Sequence, residues 1–124
     1  MARVDFEGLD EINRALTQMA ERAAAEVIGK ALMAGAEILK VEVETRAPRL
    51  TGFLAGNILA KLKKKNRYNV EADVGPSKKA FYGKFLEFGT TRMSAQPFIF
   101  PSFQAKKEEI QATIADVLRR ELGL

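Results

Sequence analysis

The sequence predicts an α+β fold in which a small antiparallel sheet, made by one basic hairpin, is packed by a long alanine-rich helix and a C-terminal helix. Three observations carry this. Apolar residues recur at helical spacing through Val27, Ala31, Ala34, Ile38 and Val41, and apolar and charged residues alternate from Ile58 to Val74. A second helical stripe, Phe103, Ile110, Ile114, Val117, Leu118 and Leu122, closes the chain. At 124 residues the expectation is a single domain, 1–124, with one core and no linker.

In chain order, Val4 and Phe6 alternate with Arg3 and Asp5 and suggest a short edge strand. Asp10 is placed to cap a first helix with the stripe Ile12, Leu16, Met19 and Ala20. The long helix is expected over 23–45. Gly29 and Gly35 inside it each cost about 1 kcal/mol relative to alanine, so close approach by a neighbouring element is the expected compensation. Glu26 with Lys30 and Glu42 with Arg46 are spaced by four with the acid first, the favourable order on an exposed helix face. Ala47-Pro48 ends the helix, because a residue before proline is pushed out of the helical region.

In the hairpin, even positions from Ile58 to Val74 are apolar wherever the alternation is clear, while Lys61, Lys63, Asn69, Glu71 and Asp73 take odd positions. Opposed residues share a face, so a regular ladder requires an odd loop. A three-residue loop, Lys65-Asn66-Arg67, sets Lys61 opposite Glu71. A five-residue loop around Asn66 sets Lys63 opposite Glu71 and Lys61 opposite Asp73. A two-residue turn fits neither. The tip holds Lys61, Lys63, Lys64, Lys65 and Arg67, either as a solvated edge that resists strand pairing or as a sequence-independent contact for DNA.

The stretch 81–103 holds six of the eight phenylalanines, which suggests an aromatic plug for the core. Phe81, Phe85 and Phe88 share helical spacing, as do Tyr82 and Leu86, and Gly89 stands where a helix end tolerates positive φ. Phe98, Ile99 and Phe100 lie between two prolines and are expected to be extended, with Ser102 capping the last helix and Gly123 closing it. Glu87 among these aromatics needs a partner if buried. Lys84, Arg92 and the amides and hydroxyls of Gly89, Thr90 and Thr91 are nearest in sequence.

With neither cysteine nor histidine, the chain offers no thiol nucleophile, no zinc site of the usual kinds and no imidazole base. It has no phosphate-binding glycine loop, and its acid pairs lie on lysine-rich helices. No catalytic, cofactor-binding or metal-binding residue is therefore assigned, and neither an enzyme nor a cofactor is expected. No apolar run approaches the roughly 20 residues that span a bilayer, and the N-terminal residues hold no signal-like apolar stretch. A cytosolic origin is expected. The net charge of +4 permits nucleic acid as a partner without requiring it.

Ala47-Pro48-Arg49-Leu50-Thr51-Gly52, then Tyr82, Glu87-Phe88-Gly89-Thr90 and Gln96-Pro97-Phe98-Ile99-Phe100-Pro101, resemble in type and order the small neck and tail components of tailed bacteriophages, typified by gene product ten of a lambdoid siphovirus. The resemblance implies a phage or prophage virion protein of the head-tail junction or upper tail. It would be assembled in the bacterial cytoplasm as a homo-oligomeric ring beside other neck or tail proteins, with non-specific DNA contact in the lumen, no membrane and no small-molecule substrate. The candidate subunit or partner interface is Glu87, Phe88, Gly89, Thr90, Thr91, Arg92, Met93, Pro97 and Phe98. Lys61, Lys63, Lys64, Lys65 and Arg67 form the candidate DNA-facing tip. The rival readings are a stand-alone nucleic-acid-binding protein using the basic hairpin and a small-ligand module using the aromatic cluster.

Overall fold

The computed structural model describes residues 9–48 and 52–124. The predicted strand at Val4 and Phe6, and part of the loop after Pro48, lie outside them. Helices α1 (Leu9–Gln18) and α2 (Glu21–Arg46) are followed by strands β1 (Ile58–Asn66) and β2 (Asn69–Pro76), the short helix α3 (Gly83–Phe88) and helix α4 (Ile99–Leu122). This is the expected α+β arrangement. Both strands and α4 pack on α2, which serves as the spine.

The glycines of α2 mark where its neighbours enter. A Cβ on Gly29 would lie 3.0 Å from Leu62 Cδ2 of β1, and one on Gly35 would lie 2.9 Å from Ile114 Cγ1 of α4. Hairpin and α4 therefore press on different faces of one helix, and small residues make both approaches possible. Two core clusters lie against α2. One joins Val43, Leu54, Ile58 and Phe98 at the C-terminal end of α2; the other joins Ile12, Ala31, Val117 and Leu118 towards its N-terminal end. Ala47 ends α2 with ψ of 133°, as the following proline requires.

Several local expectations are corrected. Asp10 does not cap α1, since Leu9 is already helical; its carboxylate lies in the first turn, where it favours the helix dipole. Glu42 does hold Arg46 at 2.8 Å, but Glu26 and Lys30 part, Glu26 pairing with Lys64 and Lys30 with Glu121. Helix α4 begins at Ile99, inside the segment expected to be extended. Pro101 falls in its first turn, where a missing N–H costs nothing. Ser102 is thus inside the helix, fully buried, and its hydroxyl donates back to the Phe98 carbonyl. Gly123 ends α4 in the left-handed conformation, as expected.

The hairpin shows the second of the two registers, with Lys63 opposite Glu71 and Lys61 opposite Asp73. Its tip is nevertheless the two-residue turn Arg67-Tyr68, closed by Asn66 opposite Asn69. A bulge between Lys64 and Asn66 takes up the odd residue, so the parity argument fails where the ladder is irregular. Neither turn residue has positive φ, so this is not the primed turn that a regular two-residue hairpin favours. Tyr68, placed by parity on the apolar face, is exposed at the turn.

Candidate interaction site

Of the aromatic residues in 81–103, only Phe98 is fully buried. Phe88 is 82% exposed, Phe81 63%, Phe100 60% and Phe85 40%, so the expected core plug is instead a surface. The cause is helical periodicity. Tyr82 and Leu86 occupy one face of α3 and its entry turn and pack on the core. Phe81, Phe85 and Phe88 occupy the other, and a six-residue helix has nothing to cover both faces. The Phe81 and Phe85 rings meet edge to face at 6.4 Å, and Lys84 Nζ stands 5.3 Å over the Phe85 ring. Beside them lies a largely apolar groove of about 710 Å³, with Leu32 and Leu39 of α2, Ala72 and Val74 of β2, Ile110 and Ile114 of α4, and Phe88, Phe100 and Phe103 among its lining residues.

Glu87 is half-buried next to this groove, and its partners are none of those nearest in sequence. Its Oε2 accepts from the amides of Phe98 (2.7 Å) and Ile99 (3.0 Å), and Oε1 from Phe100 (2.9 Å). The carboxylate therefore caps α4 from outside, satisfying orphan N–H groups at the end where the helix dipole favours a negative charge. Between α3 and α4 the chain makes a tight turn. Gly89 has φ of 75°, and its amide bonds Phe85 O; a Cβ there would meet the Ala95 amide nitrogen at 2.9 Å. Thr90 and Met93 bond each other through both backbone groups, and the Gln96 amide donates to Leu86 O at 2.6 Å. Thr90, Thr91, Arg92 and Pro97 are exposed and Met93 partly so. Of the candidate interface, then, Phe88, Thr90, Thr91, Arg92, Met93 and Pro97 reach the surface, while Glu87, Gly89 and Phe98 hold it in place.

The basic tip divides in the same way. Lys61, Lys63 and Lys65 are exposed. Lys64 pairs with Glu26, and Arg67 reaches into the fold. Its Nη1 donates to the carbonyls of Leu16 and Thr17, its Nη2 to Met19, and its Nε to Glu21, which also accepts the Arg67 amide at 2.6 Å. A cation thus closes the C-terminal end of α1. In the sequence Arg67 reads as one more charge of the tip, because its acceptors, three carbonyls near the end of α1 and the Glu21 carboxylate, lie about fifty residues away.

The Arg67 contacts hold the Glu21 carboxyl below the usual carboxylate range, and Lys64 does the same for Glu26. A lowered folded value means that these pairs add stability fully above the unfolded value of about 4.3 and lose it as pH falls through the folded values. Amide protection factors at 66–69 are therefore expected to fall in acid before those of the rest of the hairpin, and Glu21→Gln should remove most of that pH dependence.

Among the described residues no group of three or more acidic, histidine or cysteine side chains is placed to hold a metal ion, and no helix is long and apolar enough to cross a membrane. What the fold displays is a patch of exposed aromatics beside an apolar groove, the kind of surface that marks an interaction site. Over residues 10–89 the chain matches the family described as "Bacteriophage HK97-gp10, putative tail-component", and it belongs to that family. The family is structural, which places the chain in the virion among tail proteins with which it interacts. The match runs from α1 to the turn after α3. No curated protein and no solved structure matches the chain.

Proposed function

We propose that this tail component acts at the head-tail junction or the upper end of the tail, as one subunit of a ring assembled during morphogenesis, the whole chain working as one domain. The observation that carries the reading is the aromatic surface. Four phenylalanines of 81–103 stand exposed, two of them, Phe88 and Phe100, lining the apolar groove, beside a turn whose base is fixed by backbone hydrogen bonds. Aromatics displayed on a rigid support suit a buried anchor in a protein interface. The turn 90–93 supplies polar contacts at its rim.

Deleting the gene from an inducible lysogen and imaging the lysate tests the placement. Separate DNA-filled heads and free tails, or tails of irregular length, are expected; normal infectious particles would remove the reading. A Phe88→Ser, Phe100→Ser double variant tests the surface. Both side chains are exposed, so the melting temperature should barely change. Incorporation into particles should drop by roughly 100-fold, as loss of two anchors implies, and full incorporation would move the docking surface elsewhere.

A further inference from the structure

The two strands of the hairpin carry opposite charges on their outward face. On β1 the outward positions are Leu59, Lys61, Lys63 and Lys65; on β2 they are Asn69, Glu71, Asp73 and Gly75. All the charged ones are exposed. Among the described residues the sheet has only these two strands, so each has one edge without a hydrogen-bonded neighbour. One open edge is basic and the other acidic.

Beside β2 there is also room. Ala72, Val74 and Pro76 line the apolar groove whose far wall is α4. A strand added to a sheet sits about 4.8 Å from its neighbour and turns alternate side chains to each face.

We infer that β1 of one copy pairs edge to edge with β2 of the next, so that the basic strand of each subunit meets the acidic strand of its neighbour. This rests on the ring reading above and names the surface that would close the ring. The contact is heterologous, since a different edge of each copy is used, and such contacts generate rings when the rotation closes. Hairpins related by rotation keep the same direction, so β2 and the incoming β1 run antiparallel, like the pair within each hairpin. Each of Glu71 and Asp73 then lies between two lysine rows, its own and the neighbour's.

The test is a charge swap read in particles. In the E71K/D73K variant both strands are basic, and it should complement the deletion lysogen about 100-fold less well than the wild type, given the cost of like charges brought together across an interface. The fourfold variant K61E/K63E/E71K/D73K restores opposite charges within the hairpin and between identical copies, and should complement to within about 10-fold of wild type. Co-expressed with tagged wild type, it should be absent from particles captured by the tag, because every mixed junction opposes like charges. Full complementation by E71K/D73K would overturn the pairing. So would free mixing in the captured particles, or a folded fourfold variant that fails to complement. Normal particles from the deletion itself would instead remove the ring reading, and the pairing with it.

Discussion

Glu87→Gln should lower stability by about 3 kcal/mol and the melting temperature by roughly 10 °C. One carboxylate holds three amides, those of Phe98, Ile99 and Phe100. Glutamine keeps a single acceptor oxygen, and its NH2 group would face N–H donors. It also removes the negative charge from the end of a 24-residue helix. Helix α4 contributes Ile110, Val117 and Leu118 to the buried interior, so fraying of its first turns should be seen by hydrogen exchange at 99–103 before the C-terminal half loosens. Glu87→Asp keeps the charge but is shorter by one methylene, and should recover only part of the loss. A thermal melt of Glu87→Gln indistinguishable from wild type would show that α4 needs no external cap.

Arg67→Ala is expected to cost about 3 kcal/mol, because charge-assisted hydrogen bonds are worth more than neutral ones and this side chain is only 15% exposed. Four donors act at once on acceptors from α1, the α1–α2 turn and the first residue of α2. Arg67→Lys should recover little, since a single ammonium cannot span acceptors that a planar fork reaches together. Urea unfolding measures the loss. Exchange at 66–69 and at the end of α1 should rise together, and independent behaviour of the two segments would count against the latch.

What the sequence revealed followed periodicity and local spacing. The stripe of α2, the proline that ends it and the notches at Gly29 and Gly35 are properties of one helix and what must pass it. Opposite charges admitted two hairpin registers, and one of them is present. Reading failed where a side chain acts over distance on backbone atoms. The charges and amides nearest Glu87 in sequence are not its partners; its carboxylate oxygens are met by amides eleven to thirteen residues on, brought round by the turn at Gly89. Arg67 reads in the sequence as a charge of the basic tip, because carbonyls at a helix end have no signature in composition. The aromatics misled differently. Both stripes, Phe81/Phe85/Phe88 and Tyr82/Leu86, were visible, yet hydrophobicity alone does not say which faces the core, and the stripe with more phenylalanine is the exposed one. The interface residues were legible as a cluster, though not their division into those that support and those that are displayed.

Clamping both ends of the 88–98 segment has a consequence for how such a protein diversifies. The Glu87 carboxylate and the Leu86 carbonyl, neither of them in the turn, grip the chain where it re-enters at Gln96 and Phe98. The residues between, Gly89 apart, can change in identity, and to a degree in number, without moving the start of α4, because loop closure depends only weakly on length. A lineage could exchange one docking partner for another by rewriting a few codons there, leaving the two helices and the hairpin as inherited.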